Sequence, residues 1–472
     1  MKICFLQKQL FPYFGVMALS GVLKQHGHET EVLINAYESD FIPKLRRLEP
    51  DLVGFSIMST EHRWLKNILP RIKQLMPDVP IIVGGIHPTI YPMDVLKLNS
   101  VDYVCWGEGE IALCSLVERL EQRQPSAKGI QGIGYYENGA PTLQGVAPLP
   151  SDLDSFKEDR DVYYRRYPEL RNLHQKIFMS SRGCPFDCAF CSNTILKQTF
   201  KSAGKYIRRK SPRFFIEETK RVLNDYGSVT FFFCDDLFVF SLKWLEEFSR
   251  LYKSEVNVPF ICTGHAKTIK QRHAKALAEA GCHTVSFGVE TGNESLRRSI
   301  LNKNITNEDL LRCSAILKKE GIELQTSNMF CLPDETIEDA ISTIDLNIKM
   351  GTDYMFTAIF LPFPRTAITE YCIEKNLLKA DYSFEDLPES FVRRSVLLRK
   401  DKDILANIHK VAHLCLAFPK LKPFFLSLAI NVRSEHFFFY MYLINTFLRF
   451  AKERKLTYLQ TIKYLWTYRK GY

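Results

Sequence analysis

The chain has 472 residues, 46% hydrophobic and 25% charged, which suits two or three globular domains and excludes a disordered or collagen-like chain. No run reaches the roughly 18 uninterrupted apolar residues of a membrane-spanning helix, and there is no low-complexity tract or fixed-period repeat. The net charge of +10 is concentrated, because residues 401–472 carry 12 Lys and Arg against four Asp and Glu. Thirteen cysteines make an odd count, and most stand alone on apolar segments (Cys4, Cys105, Cys114, Cys262, Cys282). The start, Met1-Lys2-Ile3-Cys4-Phe5-Leu6, lacks a signal-peptide pattern. Free thiols in a reducing cytoplasm are therefore expected.

Residues 2–6, 29–34, 52–57, 79–83 and 102–105 read as strands, and residues 15–26, 40–48 and 61–75 as helices between them. In the first helix Val16, Leu19, Val22 and Leu23 share one face. This alternation predicts a doubly wound α/β domain over residues 1–147, with a parallel sheet and helices on both faces. Ligands of such sheets bind outside the carboxyl ends of the strands. Three of those ends are rich in glycine and small polar residues: Ser56-Ile57-Met58-Ser59, Gly84-Gly85-Ile86-His87-Pro88-Thr89 and Gly107-Glu108-Gly109-Glu110. Glycine there lets a ligand approach the backbone closely.

The GGxHP and GEGE motifs together are similar to a cobalamin-binding domain, over about residues 1–125. The resemblance implies that Ser56, Gly84, Gly85, His87, Gly107, Glu108 and Gly109 line the cobalamin site. The DxHxxG loop of the best-known cobalamin domains is missing, so His87 is not expected to ligate cobalt. Cobalt then has no lower-face protein imidazole, which suits methyl transfer. Without the resemblance, the glycines only shape the turns of a Rossmann-like domain. Asn138-Gly139 predicts a hairpin between residues 130–136 and 141–143 that closes the domain. Residues 148–174, rich in charge, Pro and Tyr, read as a linker.

From residue 175 to 400 the alternation resumes. Strands are predicted at 176–181, 229–233, 259–263, 284–289, 323–329 and 354–360, with helices near 214–224, 242–253, 270–280, 307–319 and 337–349. After the first strand comes Ser181-Arg182-Gly183-Cys184-Pro185-Phe186-Asp187-Cys188-Ala189-Phe190-Cys191-Ser192. Three thiolates at Cx3Cx2C spacing can hold three irons of a [4Fe–4S] cubane and leave the fourth open. A structural zinc site needs four ligands, and no fourth stands at usual spacing.

With Phe190 before the third cysteine, the motif resembles the radical S-adenosylmethionine (SAM) superfamily. The six βα repeats fit that family's partial (β/α)6 TIM-type barrel, over about residues 175–370. The resemblance implies that Cys184, Cys188 and Cys191 hold the cluster, and that its free iron binds SAM. One electron from the cluster then yields a 5′-deoxyadenosyl radical, and a flavodoxin or ferredoxin-type donor is the implied source. A cobalamin-binding domain precedes many radical SAM domains.

Other strand ends become candidates by the same resemblance, because barrel chemistry sits at the carboxyl ends. Gly288-Val289-Glu290-Thr291-Gly292 is similar to a family segment whose Glu contacts SAM. Phe190, Ser192, Asp236 and Glu290 are thus expected to hold SAM. The acidic pair Asp235-Asp236 has a second reading, a helix cap ahead of Ser241. Cys331 and Arg365 stand where the family usually has Gly. His265 could shuttle protons, but a hydrogen-bonded core histidine is the plainer reading.

The last segment, 401–472, mixes aromatic and basic residues. Residues 404–416 read as an amphipathic helix. Phe424-Phe425-Leu426, Phe437 to Leu443 and Phe447 to Phe450 follow, among Lys420, Lys422, Arg433, Arg449, Lys452, Arg454, Lys455, Lys463, Arg469 and Lys470. Three readings are open: a helical cap on the barrel, a membrane interface or lipid-like substrate, and an RNA-binding face. Nucleic acid is the least favoured partner. A cytoplasmic chain with peripheral membrane contact through this region is the expectation.

Together these features predict a cobalamin-dependent radical SAM enzyme. It would methylate an unactivated carbon of a hydrophobic small molecule, with SAM, the cluster and cobalamin as cofactors. The alternatives are an oxidative cyclase or rearrangement enzyme of tetrapyrrole or isoprenoid type, and a cobalamin- or redox-sensing protein without turnover. An RNA methylthiotransferase would need three further N-terminal cluster cysteines, whereas Cys4, Cys105 and Cys114 are scattered.

Overall fold

A computed structural model describes residues 1–388, 390–453 and 457–462. The described residues divide into two compact units, one built from residues 1–173 and 195–208, the other from 174–194 and from 209 to 462.

In the first unit, β1 (Lys2–Gln7), β2 (Glu29–Ile34), β3 (Leu52–Ser56), β4 (Ile81–Gly84) and β5 (Tyr103–Cys105) are parallel. The hairpin strands β6 (Ile133–Glu137) and β7 (Ala140–Leu143) extend the sheet antiparallel, in the order β2-β1-β3-β4-β5-β6-β7. The chain order reverses between β1 and β3, the switch point where doubly wound sheets take their ligands. Ile3, Cys4, Leu33, Val53, Ile81, Val83 and Val104 are wholly buried in this sheet, as near-continuous apolar strands covered on both faces must be. Helices α1 (Phe14–Gln25), α2 (Phe41–Leu48), α3 (His62–Leu75), α4 (Ile86–Ile90), α5 (Pro92–Leu96) and α6 (Gly109–Glu121) make the crossovers.

The segment read as a linker packs back on this unit through α7 (Asp161–Tyr164) and α8 (Pro168–Arg171). Tyr163 and Tyr167 are buried outright. The Tyr163 hydroxyl donates to Gln7 Oε1 at 2.5 Å, and the Ile34 amide donates to the Tyr167 hydroxyl at 2.9 Å. The tyrosines bury their rings and keep a hydrogen bond at the polar tip, so this stretch is part of the domain despite its linker-like composition.

The second unit is a curled parallel half-barrel. Its strands follow chain order: β8 (Gln175–Phe178), β11 (Thr230–Phe233), β12 (Phe260–Thr263), β13 (Cys282–Glu290), β14 (Glu323–Phe330) and β15 (Tyr354–Ile359). The two-residue strands β9 (Ser181–Arg182) and β10 (Arg208–Arg209) lie between the first two of these in sequence. Helix α9 (Ser192–Thr199), which the sequence reading left out, starts directly after the cysteine loop. Helices α10 (Pro212–Tyr226), α11 (Leu242–Glu255), α12 (Gln271–Ala280), α13 (Glu294–Ser299), α14 (Asn307–Lys319), α15 (Ile337–Met350) and α16 (Ala367–Glu374) follow in chain order. A core of Phe178, Phe215, Phe231, Phe233, Phe248 and Phe260 fills the first half of this unit.

Helix α17 (Lys402–Ala417) was expected to be amphipathic and is instead buried along nearly its whole length. Its Leu405, Ile408, Val411, Ala412 and Cys415 share a core with Phe330, Ile344, Met355 and Ile359 of the last strands and α15. It therefore belongs to the second unit's core, followed by α18 (Lys422–Asn431) and α19 (Glu435–Glu453). Arg454, Lys455, Lys463, Arg469 and Lys470 lie outside the described residues. Among the described residues no helix is long and apolar enough to cross a membrane.

Candidate active site

The cysteine loop sits at the carboxyl end of β8. Gly183 has φ +87°, a left-handed turn that glycine adopts without strain. Within the loop the Cys188 carbonyl accepts from the Cys191 amide at 3.0 Å and from the Thr194 hydroxyl at 3.2 Å. Other elements pin it from outside. The Ala189 amide donates to the Leu301 carbonyl at 2.9 Å, and the Asn302 side chain donates to the Asp187 carbonyl at 2.7 Å. The Ile368 amide donates to the Ala189 carbonyl at 3.2 Å. Phe190 packs with Ala189 against a small apolar core that includes Leu301, Leu332 and Ile368. Ser192 opens α9, and the adjacent Asn193 points its side-chain amide at Cys191 Sγ, 3.7 Å away.

None of the three loop cysteines is in a disulfide among the described residues, and all are part-buried. Burial pushes the Cys188 thiol up to about 11; Lys303 pulls it back, while Cys191, Glu290 and Cys184 push further. Cys188 thus feels the charge of both other thiols. Such a trio resists ionising alone and is relieved by bound cations, so the donor set fits an iron–sulfur cluster. Among the described residues no three His, Cys, Asp or Glu side chains converge on a single ion. A cubane requires no such convergence, because each thiolate takes its own iron.

The acidic pair after β11 divides its work. Asp235 is buried and accepts from the Ser180 amide at 3.0 Å, the Ser180 hydroxyl at 2.7 Å and the Ser181 hydroxyl. It anchors the strand that leads into the cysteine loop. Asp236 faces the loop, and burial raises its carboxyl, with hydrogen bonds from Asn193 and the Gly183 backbone opposing the rise. The helix-cap reading is corrected, because Ser241 itself caps α11 by accepting from the Trp244 amide.

Glu290 ends β13 with φ +68°. Its carboxylate is held by Lys303 Nζ at 2.6 Å, both side chains being nearly enclosed. Buried Arg297 fixes this bend by donating to the carbonyls of Val289, Thr291 and Ile305. His265 stacks on Phe186 of the cysteine loop, ring centroids 3.7 Å apart, and its buried Nδ1 has no hydrogen-bond partner among the described residues. Burial and Lys303 hold its pKa down to about 3. The ring is therefore neutral and stacked, where a hydrogen-bonded core histidine was expected. Cys331 and Arg365 take φ +61° and +65°, so the left-handed bends usually given to Gly persist here under side chains.

In the first unit, Ser56, Gly84 and Gly85 stand at the carboxyl ends of β3 and β4. Gly85 has φ +104°, and a Cβ there would come within 2.7 Å of Ile57 N and O. Only glycine lets the two strand ends close. Gly107 has φ +110°, and a Cβ there would press on Phe200 at 3.2 Å; Gly109 begins α6. Two expected ligand contacts are otherwise engaged. His87 is wholly buried, with His62 Nδ1 3.1 Å from its Nε2 and Ser59 Oγ 3.1 Å from its Nδ1. Its ring braces the β3–β4 loops from inside. Glu108 is gripped through both oxygens by the buried fork of Arg208, which also donates to the Pro150 carbonyl at 2.9 Å.

Sequence reasoning missed the apolar edge of this site. Phe11, Met58 and Ile86 follow the neighbouring strands β1, β3 and β4, and all three are exposed. Exposed apolar side chains following neighbouring strands along a sheet's carboxyl edge suit a broad, largely apolar ligand. Lys303 and Asn302 were also missed, being over a hundred residues from the loop they serve.

Two family models match: "B12 binding domain" over residues 8–117 and "Radical SAM superfamily" over residues 178–346. The chain is 29% identical over 386 residues to the uncharacterized methyltransferase PH0819 of Pyrococcus horikoshii, covering 78% of this chain and 80% of that one. It is 26% identical over 368 residues to an anaerobic magnesium-protoporphyrin IX monomethyl ester cyclase of Rubrivivax gelatinosus, covering 75% and 65%. In fold it is similar to the radical SAM methyltransferase TsrM of Kitasatospora setae, solved with cobalamin and a [4Fe-4S] cluster bound. That likeness has a TM-score of 0.65 at 19% identity, over 79% of this chain and 75% of that one.

Proposed function

We propose that this chain, a radical SAM enzyme with an N-terminal B12 binding domain, methylates an unactivated carbon of a hydrophobic small molecule. What carries the reading is the pairing of two sites in one chain. A three-cysteine loop stands at the carboxyl end of a parallel half-barrel, and a glycine-lined, apolar edge stands at the carboxyl ends of a doubly wound sheet's strands. When bound, the cluster, SAM and cobalamin supply a low-potential electron, a route to a carbon-centred radical and a methyl group. The chain's own residues bind and shield them. Cys184, Cys188 and Cys191 would hold the cluster; Phe190, Ser192, Asp236 and Glu290 lie around the loop where SAM would sit. Ser56, Gly84, Gly85, Gly107 and Gly109 would let cobalamin approach the backbone, with His87 and Glu108 acting behind them. A flavodoxin or ferredoxin-type protein would deliver the electron.

The test is to incubate reconstituted enzyme with methyl-labelled SAM, a reductant and candidate substrates. The expected result is deoxyadenosine together with a labelled product. Deoxyadenosine with no label in any product favours the second reading, an oxidative cyclase, which the resemblance to the magnesium-protoporphyrin ester cyclase supports.

A lipid-like substrate met at a membrane surface is the finer form of this reading. On α19, Phe437, Tyr440, Ile444 and Leu448 recur at helical spacing on one face and are 42, 65, 59 and 38% exposed. Phe418, Leu421 and Phe424 are also exposed beside the exposed Lys420. Aromatic and apolar side chains with basic neighbours favour an anionic lipid surface. The chain should float with phosphatidylglycerol vesicles and not with phosphatidylcholine ones, and Y440S/I444S should weaken flotation at least tenfold. Equal flotation of that variant would reject the surface role.

A further inference from the structure

We infer that Gln325 sets the substrate specificity of the half-barrel, accepting a hydrogen bond from an uncharged hydroxyl or N–H group on an otherwise apolar molecule. The inference rests on the reading that the chain acts on a hydrophobic small molecule, and adds which polar group that molecule carries.

The inner face of the half-barrel is open. Central strands of a parallel sheet are normally buried on both faces, and β14 lies between β13 and β15. Its Leu324, Thr326, Asn328 and Phe330 are buried on the face that packs against helices, yet Ser327 on the opposite face is exposed. The strand register sets Gly288 of β13 beside Ser327. Two small residues thus stand side by side where a closed barrel carries bulky ones. Half-buried Phe232, on one side, and Met329 and Phe356, on the other, give the same face apolar walls.

The opening has a floor and a ceiling, and both take up their own charge. At the amino end of β14 the hydroxyls of Thr284 and Tyr354 each donate to Glu323 Oε2 at 3.2 Å. At the carboxyl end Lys303 Nζ and Glu290 Oε1 hold each other at 2.6 Å. A Cβ at Gly288 would collide with both, which places that pair against Gly288. Arg449 reaches the Phe356 wall from α19, but it is buried, 3.7 Å from the ring centroid, and donates to the Met355 carbonyl. Between floor and ceiling the inward polar side chains of β13 and β14 are Ser286, Gln325 and Ser327, none of them charged. Gln325 is in register with Ser286, and its buried Oε1 has no hydrogen-bond partner among the described residues.

An unpaired buried amide oxygen is costly, and a ligand with a proton donor relieves it. A carboxylate or ammonium entering this space would give up its hydration without meeting an opposite free charge. An uncharged hydroxyl gives up far less. A site built to bond a hydroxyl also discriminates strongly against a group that cannot make the bond, because its own polar atom is then left unpaired.

The experiment is equilibrium dialysis of the reconstituted full chain against three probes with the same alkyl chain: 1-decanol, decanoate and decylammonium. Wild type should bind decanol at least tenfold more tightly than either ion. Gln325→Leu should lose at least tenfold in decanol affinity, and Gln325→Glu should turn the preference to decylammonium, with circular dichroism as in wild type. A glutamine with a purely structural role would not move charge selectivity. Absence of decanol binding by wild type, binding of either ion within tenfold of decanol, or wild-type selectivity in either folded variant overturns the inference. Should Gln325→Leu fail to fold, Gln325→Glu decides: a turn to decylammonium supports the inference, and a retained preference for decanol overturns it. Dialysis reads binding alone, so a wild-type chain that forms no deoxyadenosine fails the enzymatic reading, whatever the probes do. One that forms it yet favours decanoate fails only the inference about Gln325.

Discussion

Replacing any one of Cys184, Cys188 and Cys191 by alanine is expected to reduce cluster iron and deoxyadenosine formation to background. Each thiolate takes one iron of the cubane, so a single deletion leaves a cluster on two protein ligands. The fold should survive the change. The loop cysteines are only part-buried, and substitutions away from a packed core usually cost under about 1 kcal/mol. Circular dichroism should therefore match wild type while the cluster absorbance disappears. Cys262 and Cys282 are the controls. Their sulfurs are 3.8 Å apart in the buried barrel core, away from the loop, and burial pushes the Cys262 thiol well above its ordinary value. Alanine there should lower stability and retain iron. Full iron in the Cys188→Ala protein would remove the basis for the cluster.

What the sequence disclosed was whatever repeats locally. Apolar runs alternating with helical periods place every parallel strand of both units, and Asn138-Gly139 places the hairpin. The cysteine motif could be read because its three cysteines lie within eight residues of one another. The misreadings arose where side chains act at long range. Lys303 meets Glu290 and the cluster loop only once the half-barrel has formed. His87 meets His62 and Ser59, partners more than twenty residues away that no local pattern announces. Tyr163 and Tyr167 sit in a stretch composed like a linker, and only their partners on β1 and β2 show that it is core. Helix α17 illustrates the limit of periodicity. Its polar positions His409 and Lys410 are buried along with its apolar ones, which a pattern reading assigns to solvent.

The second large effect is expected at Arg208. Its guanidinium is almost fully enclosed and forks onto both oxygens of Glu108, whose side chain is 18% exposed. The same group donates to Pro150, so it ties α6's entry to the segment after α9, a hundred residues away. Arg208→Met removes the cation and leaves a mostly buried carboxylate. Breaking a buried pair on one side costs about 3 kcal/mol or more, and the partial exposure of Glu108 keeps the value near that lower end. For a unit of this size that is a fall in thermal midpoint of about 6–12 °C. The double variant Arg208→Met/Glu108→Gln should recover most of the loss, because no unpaired charge remains. A cobalamin contact at Glu108 predicts a different pattern: lowered cobalamin affinity in Glu108→Gln, with no rescue of stability in the pair. Thermal midpoints of the two single variants and the double, measured without cobalamin, separate the alternatives. An unchanged midpoint in Arg208→Met would show that the fork onto Glu108 does not hold this domain together.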